Sequence, residues 1–269
     1  MPDDPLGRAE TIELIRRHDI RPAKALGQHF LVEPNIVRRI VEISGVGPGD
    51  RVLEVGAGAG TLTRALARTG AEVVAYEVDD RLRPLLAETV GGLDVELRFA
   101  DATRADLGDR LADGQWVLVA NLPYNVGTSL VLELLQHAPS MHRFVVMLQR
   151  EAVDRLAASP GTKVYGLPSV VAALHGEVHV ALRVPPHVFV PTPKVESAVA
   201  VIERSAPAVE AATAVAIASA AFRQRRKMIR SSLRGIVGTE AIEEAGLDPR
   251  ARAEQLSPED YVALARTVS

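Results

Sequence analysis

Asn121, Leu122, Pro123 and Tyr124 end an apolar run, Gln115-Trp116-Val117-Leu118-Val119-Ala120, and could together hold a flat heterocycle. Asn121 brings a side-chain carbonyl acceptor and Tyr124 an aromatic face. Pro123 has no N–H and biases Leu122 toward extended backbone, which lets nearby carbonyls point out of a ladder. Two acceptors beside a stacking ring suit the exocyclic amine of a planar base. A strand followed by a Pro-containing turn is the plainer alternative, and four residues alone do not decide between the two.

A second set lies upstream. Gly56, Gly58 and Gly60 form GxGxG between a predicted strand and a predicted helix, the context of mononucleotide binding. The spacing is not the GxGxxG of dinucleotide enzymes. Glu77, at the end of the next predicted strand, can accept both hydroxyls of a ribose. Asp101, at the end of the third, can accept from an adenine amino group, in competition with a helix N-cap role. Glu54 on the first strand and His29-Phe30-Leu31 upstream could close the other end of such a pocket. An adenosine carrying an amino-acid tail fits this set, and S-adenosylmethionine is the candidate. It has no phosphate, so no P-loop lysine is required after the glycines, and none follows.

The elements that must position these residues follow from periodicity. Residues 11–18 read as a short helix and 26–31 as a loop. Pro34 opens a helix to about residue 44, with Ile36, Val37, Ile40 and Val41 on one face and Gly45 to Gly49 as its stop. Strands are predicted at 52–55, 72–76, 95–99, 115–120 and 144–148, with helices at 61–68, 80–89, 128–137 and 150–156. That alternation argues an α/β protein with a mostly parallel, doubly wound sheet, and the Asn121 motif then sits at a carboxyl strand end, where such sheets bind ligands. A loop at 159–166 and a helix at 168–174 precede late strands at 178–184 and 198–202, which flank a Pro-rich loop. Past Ser205-Ala206-Pro207 the pattern is wholly helical. A catalytic domain of residues 1–205, with an N-terminal extension over 1–32, and a helical domain of 206–269 are expected.

Composition narrows the class. The 269 residues are 47% hydrophobic and 24% charged, ordinary for a soluble globular protein. No apolar stretch approaches the roughly 18–20 residues that span a bilayer, and Met1-Pro2-Asp3-Asp4 has neither the basic nor the apolar region of a secretory signal. There is no cysteine for a disulfide or thiolate site, and the seven histidines show no zinc-like pairing. A cytoplasmic, metal-independent protein is expected. Net charge is −3, yet Arg223-Gln224-Arg225-Arg226-Lys227, with Arg230 and Arg234, forms a basic cluster, and Arg16, Arg17, Arg21 and Lys24 a looser one. Such patches either touch phosphates or are simply solvated helix faces.

With GxGxG, the two strand-end acids and Asn-Leu-Pro-Tyr in this order, the chain resembles the rRNA adenine N6,N6-dimethyltransferases, most closely their bacterial small-subunit branch. The resemblance runs over nearly the whole length. It includes Leu26-Gly27-Gln28-His29-Phe30-Leu31, Gly161-Thr162-Lys163-Val164-Tyr165-Gly166 and Phe189-Val190-Pro191-Thr192-Pro193-Lys194-Val195. It continues through Gln224-Arg225-Arg226-Lys227 and Arg252-Ala253-Glu254-Gln255-Leu256, which favour this branch over the macrolide-resistance enzymes of large-subunit rRNA. DNA adenine methylases usually carry a second Pro in place of Leu122.

The resemblance implies a Rossmann-like S-adenosylmethionine-dependent methyltransferase fold with a small all-α C-terminal domain. It implies cofactor contacts from Gln28, His29, Leu31, Gly56, Gly58, Glu77, Asp101 and Asn121, and a target adenine held by Asn121, Leu122, Pro123 and Tyr124. Phe189 is the candidate for the other face of that base. The partner implied is 16S rRNA in the small subunit or its precursor, gripped through Arg223, Arg225, Arg226 and Lys227, by a protein expected to be a monomer. Two departures stand out. Ala57 and Ala59 replace the family's common Pro and Leu, and His29 stands where Asn is common. A ribosome-assembly factor without turnover and an NAD-dependent enzyme are the competing classes; the intact motif opposes the first and the glycine spacing the second.

Overall fold

A computed structural model describes residues 6–104, 107 and 111–268; the polar tail at residues 1–5 and the side chain of Lys24 lie outside them. The chain divides into two compact units, Met1–Val153 with Val180–Ile202, and Asp154–His179 with Glu203–Ser269.

The first unit is built on β/α alternation. In chain order it contains α1 (Arg8–Arg17), β1 (Phe30–Leu31), α2 (Pro34–Ser44), β2 (Arg51–Val55), α3 (Thr61–Ala67), β3 (Glu72–Glu77), α4 (Arg83–Val90) and β4 (Val95–Phe99). Then follow β5 (Trp116–Asn121), α5 (Gly127–His137), β6 (Met141–Gln149) and the start of α6 (Arg150–Leu156). Helix α2 shows how local chemistry sets the bounds: Pro34 lies in its first turn, Glu33 caps it, and Gly45 ends it at φ 65°.

Counting β7 (Gly176–Val184) and β9 (Ser197–Arg204), the seven-stranded sheet runs β4-β3-β2-β5-β6-β9-β7. Neighbours from β4 to β6 are parallel throughout. From β2 the chain winds outward through β3 to β4, then returns to the other side of β2 with β5. The order therefore reverses between β2 and β5, the place where a crevice opens in doubly wound sheets. Residues Trp116 to Ala120 are all buried, as a central strand covered on both faces requires.

One pairing was not anticipated. The stretch expected as loop carries β1, which pairs antiparallel with β8 (Phe189–Val190), Phe30 opposite Val190 and Leu31 opposite Phe189. Two-residue strands are too short to show a period-2 pattern.

The second unit joins α7 (Leu167–His175) to α8 (Ala211–Arg223), α9 (Ile229–Ser232), α10 (Thr239–Glu244) and α11 (Pro258–Arg266). Tyr165, Val170 and Leu174 pack in one core with Ile217, Ile229, Leu233, Ile242, Leu256 and Tyr261. The boundary expected at residue 205 thus leaves out Asp154–His179, which falls with the helices. The sequence hid this because β7 resumes the sheet directly after α7. Ser257 caps α11 through a reciprocal bond pair with Asp260 (3.2 and 2.8 Å). No helix among the described residues is long and apolar enough to cross a membrane.

Candidate active site

The crevice at the β2/β5 switch is lined by the glycine turn, the ends of β3 and β5, and the 26–31 segment. Gly56, Gly58 and Gly60 all have left-handed backbone, φ 83°, 57° and 77°. The turn is tied to β3: the Gly56 and Ala57 N–H groups donate to the Tyr76 carbonyl at 2.8 and 3.1 Å. A Cβ on Gly58 would lie 3.3 Å from the Phe30 ring, so a side chain there would also crowd that ring.

Glu77, at the end of β3, accepts from the Gly58 N–H (2.8 Å) with one oxygen and from the Asp79 N–H (2.9 Å) with the other. Each oxygen has a second lone pair. Burial pushes its pKa up, against the pull of the Asp79, Gly58 and Val78 N–H groups. On β2, Glu54 also lines the crevice, is 1% exposed, and has one oxygen with no hydrogen-bond partner. Desolvation, only partly offset by the Thr63 hydroxyl and reinforced by Glu77, pushes it up to about 8.

At the β5 end the hydrogen bonds assign each polar group. The Asn121 Nδ2 donates to the His29 carbonyl at 3.4 Å. A carbonyl can only accept, so this bond sets Nδ2 toward His29 and leaves the amide's oxygen, with the second Nδ2 hydrogen, without a partner among the described residues. The Leu122 N–H donates to the Met147 carbonyl (3.1 Å), while its own carbonyl takes no bond from the described residues. The Pro123 carbonyl is occupied, accepting from Gly127 (2.8 Å) and Val126 (3.3 Å) where α5 starts. Of the carbonyls around Pro123, that of Leu122 is the one left available. The Tyr124 ring is half-buried, its hydroxyl 2.6 Å from Ser197 Oγ, and burial pushes its pKa up despite that bond.

The remaining expected residues divide. His29 stacks on Tyr124, ring centroids 5.6 Å apart at 27°, and its Nδ1 lies 2.7 Å from the Pro191 carbonyl. An acceptor there fixes the proton on Nδ1. The His29 ring therefore sits at the tyrosine end of the crevice, and its carbonyl serves Asn121. Gln28 uses both ends of its amide within the protein, accepting from the Ala23 N–H (2.8 Å) and donating to Asp79 (2.9 Å). Leu31 is buried, and its carbonyl accepts from the Thr61 hydroxyl at 3.0 Å. Asp101 lines the crevice but caps a turn, one oxygen taking the Thr103 N–H (3.0 Å) and hydroxyl (2.7 Å). Those bonds hold its carboxyl below the usual range.

Phe189 does not join them. It is 0% exposed, locked in the core by its pairing with Leu31, and offers no face to a base. In the second unit the basic cluster is also divided. Arg223, Arg226 and Lys227 are exposed, whereas Arg225 bonds Glu254 (2.8 Å) and the Lys163 carbonyl (3.0 Å). The sequence reading missed Ser197, Asp79 and the Pro191 carbonyl. Only the neighbouring Phe189–Val195 stretch gave any signal near two of them.

The chain is 44% identical over 257 residues to ribosomal RNA small subunit methyltransferase A of Phenylobacterium zucineum, covering 94% of this chain and 90% of that protein. It is 42% identical over 277 residues to the protein of the same name from Streptomyces avermitilis, covering 98% and 94%. Among solved structures it resembles the 23S rRNA methyltransferase ErmE (26% identity, 89% and 99% covered, TM-score 0.71). A dimethyladenosine transferase from Plasmodium falciparum shares the fold at 21% identity (88% and 96% covered, TM-score 0.75). The family model described as ribosomal RNA adenine dimethylase matches residues 20–269. Taken with the Rossmann-like sheet and the Asn121–Tyr124 strand end, these findings show that the chain belongs to the ribosomal RNA adenine dimethylase family.

Proposed function

We propose that the protein transfers methyl groups from S-adenosylmethionine to N6 of two adjacent adenines near the 3′ end of 16S rRNA, in the cytoplasm and as a monomer. The observation that carries this reading is the pair of free acceptors, Asn121 Oδ1 and the Leu122 carbonyl, beside the Tyr124 ring at the end of β5. The small-subunit names of the full-length relatives favour 16S over 23S rRNA as the substrate.

The crevice residues fit the cofactor. Glu77 keeps acceptor capacity for ribose hydroxyls, Asp101 lies where an adenine amino group can be met, and the orphaned Glu54 oxygen suits a cationic tail. When bound, the cofactor supplies a methyl group activated by a sulfonium charge. The chain's task is the nucleophile, whose N6 lone pair is delocalised into the adenine ring. In the first transfer Asn121 Oδ1 and the Leu122 carbonyl each accept one N6–H, which favours a pyramidal nitrogen with its lone pair free; in the second, one of the two acceptors holds the single remaining N6–H. Tyr124 stacks on the extruded base and restricts it to a reactive orientation. The methylated nitrogen carries a positive charge and is acidic, so its proton passes to solvent without a dedicated base. Exposed Arg223, Arg226 and Lys227 contact rRNA phosphates.

Mass spectrometry of 16S rRNA from a deletion strain and its complemented counterpart tests this. Dimethyladenosine should vanish on deletion and return with the gene. An unchanged modification profile would refute the reading.

A further inference from the structure

Tyr124 is fixed from two directions. At its edge, the hydroxyl lies 2.6 Å from Ser197 Oγ. Ser197 is 0% exposed and begins β9, so its hydroxyl has little freedom to turn elsewhere. The residue before it is anchored as well: the Glu196 carbonyl accepts from the Arg150 N–H at 2.9 Å, and the two side chains pair at 2.6 Å. On its face, the ring meets His29 at 5.6 Å between centroids, a direct contact that admits no third ring between them. His29 is held in turn by the Pro191 carbonyl at 2.7 Å. A half-buried tyrosine in a loop next to a proline would otherwise turn about two side-chain bonds.

We propose that Ser197 is a positioning residue for methyl transfer: its hydroxyl fixes the plane of Tyr124, and His29 backs one face, so that the target base stacks on the opposite face at a set angle. The proposal rests on the reading of Tyr124 as the platform for the adenine. Ser197 touches neither base nor cofactor and acts only through the ring. A tilt of the ring carries N6 away from the line of attack, which changes the rate of transfer more than the affinity for either ligand. Misplacement by about 1 Å can cost roughly a hundredfold, and loss of one tether out of two should cost less.

The test is a double-mutant cycle on intact small subunits purified from the deletion strain. Ser197→Ala and Tyr124→Phe delete the two halves of one hydrogen bond. Each should lower the single-turnover rate at saturating S-adenosylmethionine by roughly tenfold, with cofactor affinity unchanged, and the double variant should be no slower than either single. His29→Ala should slow transfer further when added to Ser197→Ala, because it removes the other support. Multiplying effects of Ser197→Ala and Tyr124→Phe, or a Tyr124→Phe enzyme of normal rate, would overturn the role of Ser197. Tyr124→Phe keeps the ring and its packing, so it decides the matter even where Ser197→Ala folds poorly. A wild-type protein that transfers no methyl group to these subunits would overturn the proposed function together with this inference.

Discussion

Replacing Glu54 by Gln removes a titration that the folded chain forces on itself. The carboxyl is 1% exposed on β2, and burial lifts its pKa from the ordinary 4.5 to about 8. Between those values the folded state binds a proton that the unfolded chain has released. Stability from this group is therefore full below the unfolded value and is lost as pH rises toward about 8. From the two pKa values the loss between about pH 6 and about pH 8 comes to about 2 kcal/mol. Gln keeps the shape and cannot ionise, so its constant cost of burial leaves the slope flat. Urea unfolding followed by fluorescence of Trp116 reads the right unit, because this is the only tryptophan and it is buried in β5. The difference in unfolding free energy between variant and wild type should swing toward the variant by that amount over the window. Parallel profiles would show that Glu54 stays ionised in the folded protein and would refute the reasoning.

Glu77→Ala should weaken S-adenosylmethionine binding about tenfold to a hundredfold, since charged hydrogen bonds are worth roughly 1.5–3 kcal/mol; calorimetry on a folded variant with unchanged affinity would remove Glu77 from the site. Gly127→Ala places a Cβ 2.4 Å from Leu148 Cδ2 and 2.8 Å from Leu122 Cβ. It should lower stability by about 1–3 kcal/mol and slow methyl transfer by shifting Leu122, which melting curves and turnover assays check together. Arg225→Ala should lower stability by about 1 kcal/mol and leave the salt dependence of subunit binding unchanged, because its partners lie within the helical unit. Arg226→Ala and Lys227→Ala should each reduce the log–log salt slope by roughly 0.7–0.9, and a filter-binding series showing equal slopes for all three would contradict that division.

The parallel sheet was legible because its inner strands β2, β3, β5 and β6 are largely buried and the chain between them is punctuated by glycine and proline. The β5 strand is the clearest case: an apolar run ending in Asn-Leu-Pro-Tyr reads as a buried strand with its polar groups at one end, and β5 is that strand. What stayed hidden depends on partners distant in sequence. Nothing around Phe30 or Phe189 announces that they belong to one small sheet, yet that pairing is what takes the Phe189 ring out of the crevice. Arg225 looks like its neighbours in a basic run, and only the approach of Glu254 and the Lys163 carbonyl separates it from them. Nothing local separates the carbonyls around Pro123, and it is the start of α5 that occupies the Pro123 carbonyl. Local chemistry is written locally; the choice among equivalent donors and acceptors is made by the rest of the fold.

At the strand end that presents Asn121 and Leu122, one Asn121 amide hydrogen goes to the His29 carbonyl and the Leu122 N–H to β6. Two acceptors, Asn121 Oδ1 and the Leu122 carbonyl, take no bond from the described residues. Bases divide on just this property. An amino group at the reacting edge meets both acceptors with its two hydrogens, whereas a keto oxygen would set lone pair against lone pair. On the proposed reading, the keto edge of a guanine or uracil brought to the same place is disfavoured by the Asn121 side chain and the Leu122 backbone together, before the shape of the ring is tested.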